Sequence, residues 1–158
     1  MTDRLPKLCS PEGEPLGFDP KTSIQVLTPQ NKGPLGTKAL NIALQKVINP
    51  NGQRIGNRAI RVGDRVMQVT NNYDLDVFNG DIGEITSHDP QKKITKVAFP
   101  DREVRYPNEA LKDLVLAYAS TVHKSQGSEY PAVVIIAHRT HWYMLQRRLL
   151  YTGITRAK

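Results

Sequence analysis

Residues 114–136, LVLAYASTVHKSQGSEYPAVVII, constrain the fold of this chain more than any other stretch. Two apolar runs, 114–119 and 132–137, have the composition of buried strands in a mostly parallel sheet. Between them stands a turn crowded with polar groups: Thr121, His123, Lys124, Ser125, Gln126, Gly127, Ser128 and Glu129. A mere connector between buried strands has no need of that chemistry. In open α/β sheets ligands sit beyond the carboxyl ends of strands, and this loop leaves such an end. A glycine lets backbone approach a ligand closely. Hydroxyls, a lysine and a histidine suit phosphate, and Glu129 suits a sugar hydroxyl.

The chain around this stretch shows two kinds of pattern. Residues 1–22 hold Pro6, Pro11, Pro15 and Pro20 among small and charged residues, as a linker or incoming loop does. Residues 23–28 read as a strand stopped by Pro29, and the turn 30–33 leads to Pro34, a good first helical residue. Leu40, Ala43, Leu44 and Val47 recur at helical spacing and predict an amphipathic helix over 34–48. Asn-Pro-Asn-Gly at 49–52 stops it. From 59 to 106 the rhythm shortens. Segments 59–62, 65–70, 82–88, 94–99 and 103–106, parted by turns such as Gly63-Asp64 and Asn79-Gly80-Asp81, predict a small antiparallel barrel or sandwich. After Pro107 the α/β pattern returns: strand 114–119, polar turn, strand 132–137, then a helix through 141–150.

A length of 158 residues allows one domain, or a domain carrying a small insertion. The net charge of +7 favours a polyanionic partner such as nucleic acid. Cys9 is the only cysteine, which rules out an intramolecular disulfide and a cysteine-rich zinc site and fits a reducing compartment. The first residues lack the apolar core of a signal peptide, and no apolar run approaches a membrane span, so a cytoplasmic address without a membrane partner is expected. His88, His123, His138 and His141 are not spaced with carboxylates as a metal site requires, and no bound metal is expected in this chain.

Several short strings carry a resemblance. TVHKSQGSE at 121–129 resembles motif V of superfamily 1 helicases, and YTGITRA at 151–157 resembles motif VI. With VLTP at 26–29, GPLG at 33–36, Leu40-Asn41, GDRVM at 63–67, NNYD at 71–74 and FNGDIG at 78–83, the chain from about Asp19 to Lys158 is similar to the RecD-like superfamily 1 DNA helicases (exodeoxyribonuclease V alpha subunit family). The resemblance implies the second RecA-like (P-loop NTPase-type) domain, α/β in class, over 23–58 and 107–158. It also implies an inserted SH3-like antiparallel β-barrel over 59–106.

It further implies roles. Thr121, His123, Lys124 and Ser125 would hold the phosphodiester backbone of single-stranded DNA, which positions a strand without reading it. The plainer alternative is a capped helix start, with Thr121 or Ser120 as the cap. Gly127 and Glu129 would face the nucleotide, the latter towards the ribose; a turn glycine and a surface glutamate are the alternative. Gln126 stands where many of the wider superfamily carry lysine. Arg156 would be the arginine finger, a planar permanent charge directed at the γ-phosphate. In the barrel, Asn72 and Tyr73 are candidate DNA contacts, since an exposed tyrosine stacks on bases. Asn71, Asn79, Arg61, Arg65, Lys92, Lys93 and Lys96 are further candidates, although Lys92-Lys93 also fits a solvated turn.

GPLGTK at 33–38 is not a phosphate loop, because only two residues separate its glycines and proline removes a donor. No GxxxxGK[ST] occurs anywhere, nor an apolar strand ending in paired acids. ATP and Mg²⁺ would therefore be bound mainly by a first RecA-like domain absent from this sequence, and the chain by itself is expected neither to hydrolyse ATP nor to unwind DNA. Within a complete protein the expectation is an ATP-dependent helicase of DNA repair and recombination, moving 5′ to 3′ on single-stranded DNA, with nuclease-complex subunits as further partners. A second expectation, of another class, is a non-catalytic DNA- or protein-binding half-motor, as in part of a conjugative relaxase.

Overall fold

All five residues of β1 (Ile24–Thr28) are buried, as a strand covered on both faces requires. In the computed structural model, which describes residues 18–138 and 147–158, β1 is the middle of a three-stranded parallel sheet. The remaining elements in chain order are α1 (Thr37–Ile48), β2 (Arg65–Gln68), β3 (Ile82–Asp89), β4 (Ile94–Ala98), β5 (Glu103–Pro107), a 3-10 turn (Ala110–Asp113), β6 (Leu114–Leu116), β7 (Ala119–Thr121), β8 (Ala132–Ile135) and α2 (Arg147–Ile154). Residues 1–17, with Cys9 and most of the expected linker, lie outside the described residues, as does the 141–146 part of the helix expected over 141–150.

The described chain divides into two compact units. One comprises the residues up to Ile48 together with those from Tyr118 onward; the other is Asn49–Ala117. The second reaches beyond the expected insertion of 59–106 on both sides.

In the first unit the sheet order is β7-β1-β8, every neighbour parallel. Val26 faces Ala119 on one side and Val134 on the other. Leu27 is fully buried, and Leu44 of α1 is nearly so. Helix α1 begins at Thr37 rather than Pro34, because Gly33-Pro34-Leu35-Gly36 closes a turn in which the Gly36 amide donates to the Gly33 carbonyl at 3.0 Å. A side chain at Gly36 would stand 2.5 Å from the carbonyl oxygens of both Asn31 and Lys32, so only glycine fits. The face that α1 buries is Leu40, Asn41, Leu44 and Gln45, while Val47 is 39% exposed. Two polar residues displaced the expected apolar stripe, and Asn41 has a specific reason to be there.

The second unit is an antiparallel sheet of order β5-β4-β3-β2-β6. Its core gathers Val66, Ile85, Val97, Val104, Tyr106 and Leu111. Burial pushes the Tyr106 phenol well above its ordinary range, and the hydroxyl donates to Gln68 Oε1 at 3.1 Å. Asp64, also fully buried, accepts from the Arg61 amide at 2.6 Å and Asn49 Nδ2 at 2.7 Å. The expected strand 59–62 is reduced to an isolated bridge between Arg54 and Arg61. In β3, a Cβ at Gly83 would lie 2.7 Å from the Ala98 carbonyl oxygen and 2.9 Å from Val97 Cγ1. The nearest obstacle is backbone, so relief requires prising β3 from β4. Gly83→Val is expected to cost about 3 kcal/mol, checked by the loss of amide-exchange protection along β3 and β4.

One expected strand is corrected. Residues 114–119 do not form a single strand of the parallel sheet. Leu114–Leu116 (β6) runs antiparallel to β2, and Ala119–Thr121 (β7) runs parallel to β1. Between them the Ala117 amide donates to the Arg65 carbonyl at 2.9 Å, whereas the Tyr118 carbonyl accepts from the Val26 amide at 3.2 Å. A buried apolar run looks the same whichever sheet claims it, and the pattern carries no mark of the break.

Candidate functional site

The polar turn leaves the carboxyl end of β7, beside that of the central strand β1. Thr121, the last residue of β7, is level with Thr28, the last of β1, and the Val122 amide still donates to the Thr28 carbonyl at 3.2 Å. From there 122–131 must cross back to the start of β8, since β7 and β8 are both parallel to β1. The segment opens as a series of tight turns: the Ser125 amide donates to the Thr121 carbonyl at 3.1 Å, the Gln126 amide to His123 at 3.3 Å, and the Ser128 amide to Ser125 at 3.1 Å.

These turns sort the expected site residues. Thr121 and Ser125 are buried. The Thr121 hydroxyl accepts from the Lys124 amide at 3.2 Å, and the Ser125 hydroxyl donates to the Val122 carbonyl at 2.8 Å. Both hydroxyls thus hold the turn together, and Thr121 rather than Ser120 caps it. His123, Lys124, Gln126 and Glu129 turn outward as exposed side chains, and Gly127 is exposed as well. Gly127 has φ +86°, a conformation costly for any residue with a side chain, and the space above it is open. A ligand can reach its backbone there.

The carboxyl-terminal residues come back to this turn. Tyr130 and Ala157 form a parallel bridge. The Tyr130 amide donates to the Arg156 carbonyl at 2.8 Å, and the Lys158 amide donates to the Tyr130 carbonyl at 2.9 Å. The Arg156 guanidinium, half-buried, donates to the carbonyls of Thr152 at 3.3 Å and Ser128 at 3.5 Å and to the Thr155 hydroxyl at 3.3 Å. Glu129 is paired with Lys158, Oε2 to Nζ at 2.9 Å, on the surface. Upstream, Gly153 lets α2 approach the sheet, for a Cβ there would meet Ile135 Cδ1 at 2.8 Å. Gly127, Glu129 and Arg156 therefore belong to one assembly, next to His123 and Lys124 in the chain.

Asn72 and Tyr73 lie in the other unit. Asn72 Oδ1 accepts from the Leu75 amide at 3.1 Å, and Tyr73 is 77% exposed. Sequence reasoning gave no role to Tyr130, whose backbone joins the two strings, or to the Asn41 side chain. A buried asparagine on an otherwise apolar helix face was the only signal for the latter. Among the described residues, no group of three or more His, Cys, Asp or Glu is placed to hold a metal ion. No described helix is long and apolar enough to cross a membrane.

A parallel α/β unit with a polar turn beyond the carboxyl ends of β1 and β7, followed by an arginine-bearing segment bonded back to that turn, defines a helicase-like fold resembling a RecA-like domain. Comparison with known proteins agrees. Residues 116–158 match the family described as UvrD-like helicase C-terminal domain, and residues 40–99 match the ATP-dependent RecD-like DNA helicase SH3 domain. The chain belongs to the RecD-like superfamily 1 helicases. It is 41% identical over 138 residues to the ATP-dependent RecD2 DNA helicase of Deinococcus radiodurans, covering 86% of this chain and 19% of that protein. It is 36% identical over 107 residues to the RecBCD enzyme subunit RecD of Buchnera aphidicola subsp. Schizaphis graminum, covering 66% of this chain and 17% of that protein. The chain thus spans under a fifth of these relatives. In fold it is similar to Bacteroides Pif1 bound to single-stranded DNA, with TM-score 0.61 at 16% identity, covering all of this chain and 43% of that one. The likeness extends to Bacteroides Pif1 in complex with ADP-AlF3 and single-stranded DNA, with TM-score 0.64 at 17% identity and the same coverage.

Proposed function

We propose that this chain supplies the second RecA-like domain of a 5′–3′ DNA helicase, up to Ile48 and from Tyr118 onward, with an SH3-like barrel inserted within Asn49–Ala117. The observation that carries the reading is the backbone pairing of Tyr130 with Arg156 and Lys158, which fixes the arginine to the end of the polar turn. His123 and Lys124 hold the phosphates of single-stranded DNA, on a turn that the buried Thr121 and Ser125 keep in shape. Gly127 offers open backbone to the nucleotide. Glu129, released from Lys158, accepts from the ribose. Arg156 reaches across to the γ-phosphate. ATP and Mg²⁺ are held mainly by a first RecA-like domain on polypeptide beyond these 158 residues, since no phosphate-loop motif occurs within them. ATP supplies the cleavage that drives strand movement. DNA recombination and repair in the cytoplasm, alone or with nuclease-complex subunits, is the setting.

The DNA half of this reading is testable on the chain alone. Lys124→Ala is expected to weaken oligothymidylate binding by about tenfold at low salt. It should also lower the slope of log affinity against log salt by about 0.7, the loss of one single-strand phosphate contact. Fluorescence anisotropy over a salt series reads both. An unchanged slope would remove Lys124 from the strand's path.

A further inference from the structure

The loop 69–81 carries a surface to which the proposed motor assigns no role. Tyr73 and Phe78 are 77% and 41% exposed, with ring centroids 6.2 Å apart and planes at 77°, an edge-to-face pair turned outward. The loop beneath them is tied down. Asn72 and Val77 exchange backbone hydrogen bonds at 2.8 and 3.0 Å, Asn71 Oδ1 accepts from the Asn79 amide at 2.8 Å, and Asp81 Oδ2 accepts from the Phe78 amide at 2.9 Å. Two large rings are thus presented to water by a fixed frame, at the cost of the burial they forgo.

The surrounding charge selects what covers them. Residues 66–91 contain Asp74, Asp76, Asp81, Glu84 and Asp89 and not one lysine or arginine, in a chain whose net charge is +7. Among the described residues, Asp76 is the one loop acid met by a cation, Arg102 at 3.7 Å, and that arginine is shared with Asp101 at 2.5 Å. A phosphodiester backbone brought to these rings meets carboxylates. A guanidinium or ammonium meets carboxylates and the negative faces of two rings, and both attract it.

We propose that Tyr73 and Phe78, with the exposed Asp74 next to Tyr73 in the chain, form a docking surface for a partner protein that presents arginine or lysine side chains. Tyr73 is then a protein contact rather than a platform for bases. The inference rests on the loop's own geometry and charge and stands or falls independently of the motor reading.

The test is an NMR titration of the isotope-labelled 158-residue chain with two probes, a short capped peptide of alternating arginine and glycine and a short oligothymidylate. The peptide is expected to shift amide resonances of 71–79 saturably while oligothymidylate leaves them in place. Tyr73→Ala and Phe78→Ala should each weaken peptide binding about tenfold, and Asp74→Asn several-fold, with melting temperature unchanged in Tyr73→Ala and Asp74→Asn because those two side chains are exposed. Oligothymidylate shifting 71–79 would make the loop a nucleic-acid platform and overturn the proposal. Peptide shifts scattered over acidic groups elsewhere, or indifferent to Tyr73→Ala, overturn it equally.

Discussion

Replacing Arg156 by alanine is expected to lower ATP turnover of the complete protein by about a thousand-fold or more, while single-stranded DNA affinity stays near wild type. The guanidinium engages three neutral oxygens, at 3.3, 3.5 and 3.3 Å, all longer than a strong charge-assisted bond. No carboxylate stands among these partners, so little holds the side chain back when a phosphoryl group develops charge nearby. The backbone pairing at Tyr130 is made by the Arg156 carbonyl and survives truncation of its side chain. Lysine restores little, because a point charge lacks the planar fork. Steady-state ATPase assays, with DNA binding measured in parallel, separate the effect on kcat from any loss of fold. The 158-residue chain alone is expected to stay at background, since no phosphate-loop motif occurs within it. If Arg156→Ala leaves the complete protein's function untouched, the half-motor binding module is the correct reading.

The sequence was most legible where chemistry was dense. The string 121–129 stood out because no connector between buried strands needs a histidine, a lysine and three hydroxyl groups, and the structure places it beyond the ends of β1 and β7. What the string did not reveal was direction. Thr121 and Ser125 have the same hydroxyl chemistry as an exposed phosphate ligand, yet both turn inward to backbone, and only three-dimensional burial tells the two uses apart. The alternating segments between 65 and 106 announced an antiparallel sheet correctly. Its last strand was hidden, since β6 shares an unbroken apolar run with β7 although the two belong to different sheets. In Leu40-Asn41 the residue pair was recognisable, but its task depends on a partner 78 positions away, beyond the reach of any local pattern.

Asn41→Ala is expected to destabilise the parallel unit by about 3 kcal/mol, and Asn41→Asp by more at neutral pH. Among the described residues β7 is an edge strand, so one side of its backbone lacks a neighbouring strand. The Asn41 carboxamide supplies one in miniature. Its Nδ2 donates to the Ala119 carbonyl at 2.9 Å and its Oδ1 accepts from the Ala119 amide at 2.8 Å, as a peptide group would. Both residues are buried, and water cannot replace these bonds once the side chain is gone. Aspartate is isosteric but has no donor when ionised. It keeps the bond from the Ala119 amide, sets a negative oxygen against the Ala119 carbonyl, and buries a charge. That raises the folded-state pKa of the new carboxyl above its unfolded value of about 3.9. The penalty is then full above the folded pKa and shrinks as pH falls towards the unfolded value, where the protonated acid donates as the amide did. Asn41→Ala shows no such recovery. Exchange of the Ala119 amide reads the effect directly, faster in Asn41→Ala at every pH and slowed again in Asn41→Asp as the solution is acidified. Because β7 ends at Thr121, the same measurement reports how firmly the chain anchors the turn that carries His123 and Lys124. An Ala119 amide as well protected in Asn41→Ala as in wild type would mean that the strand needs no such support.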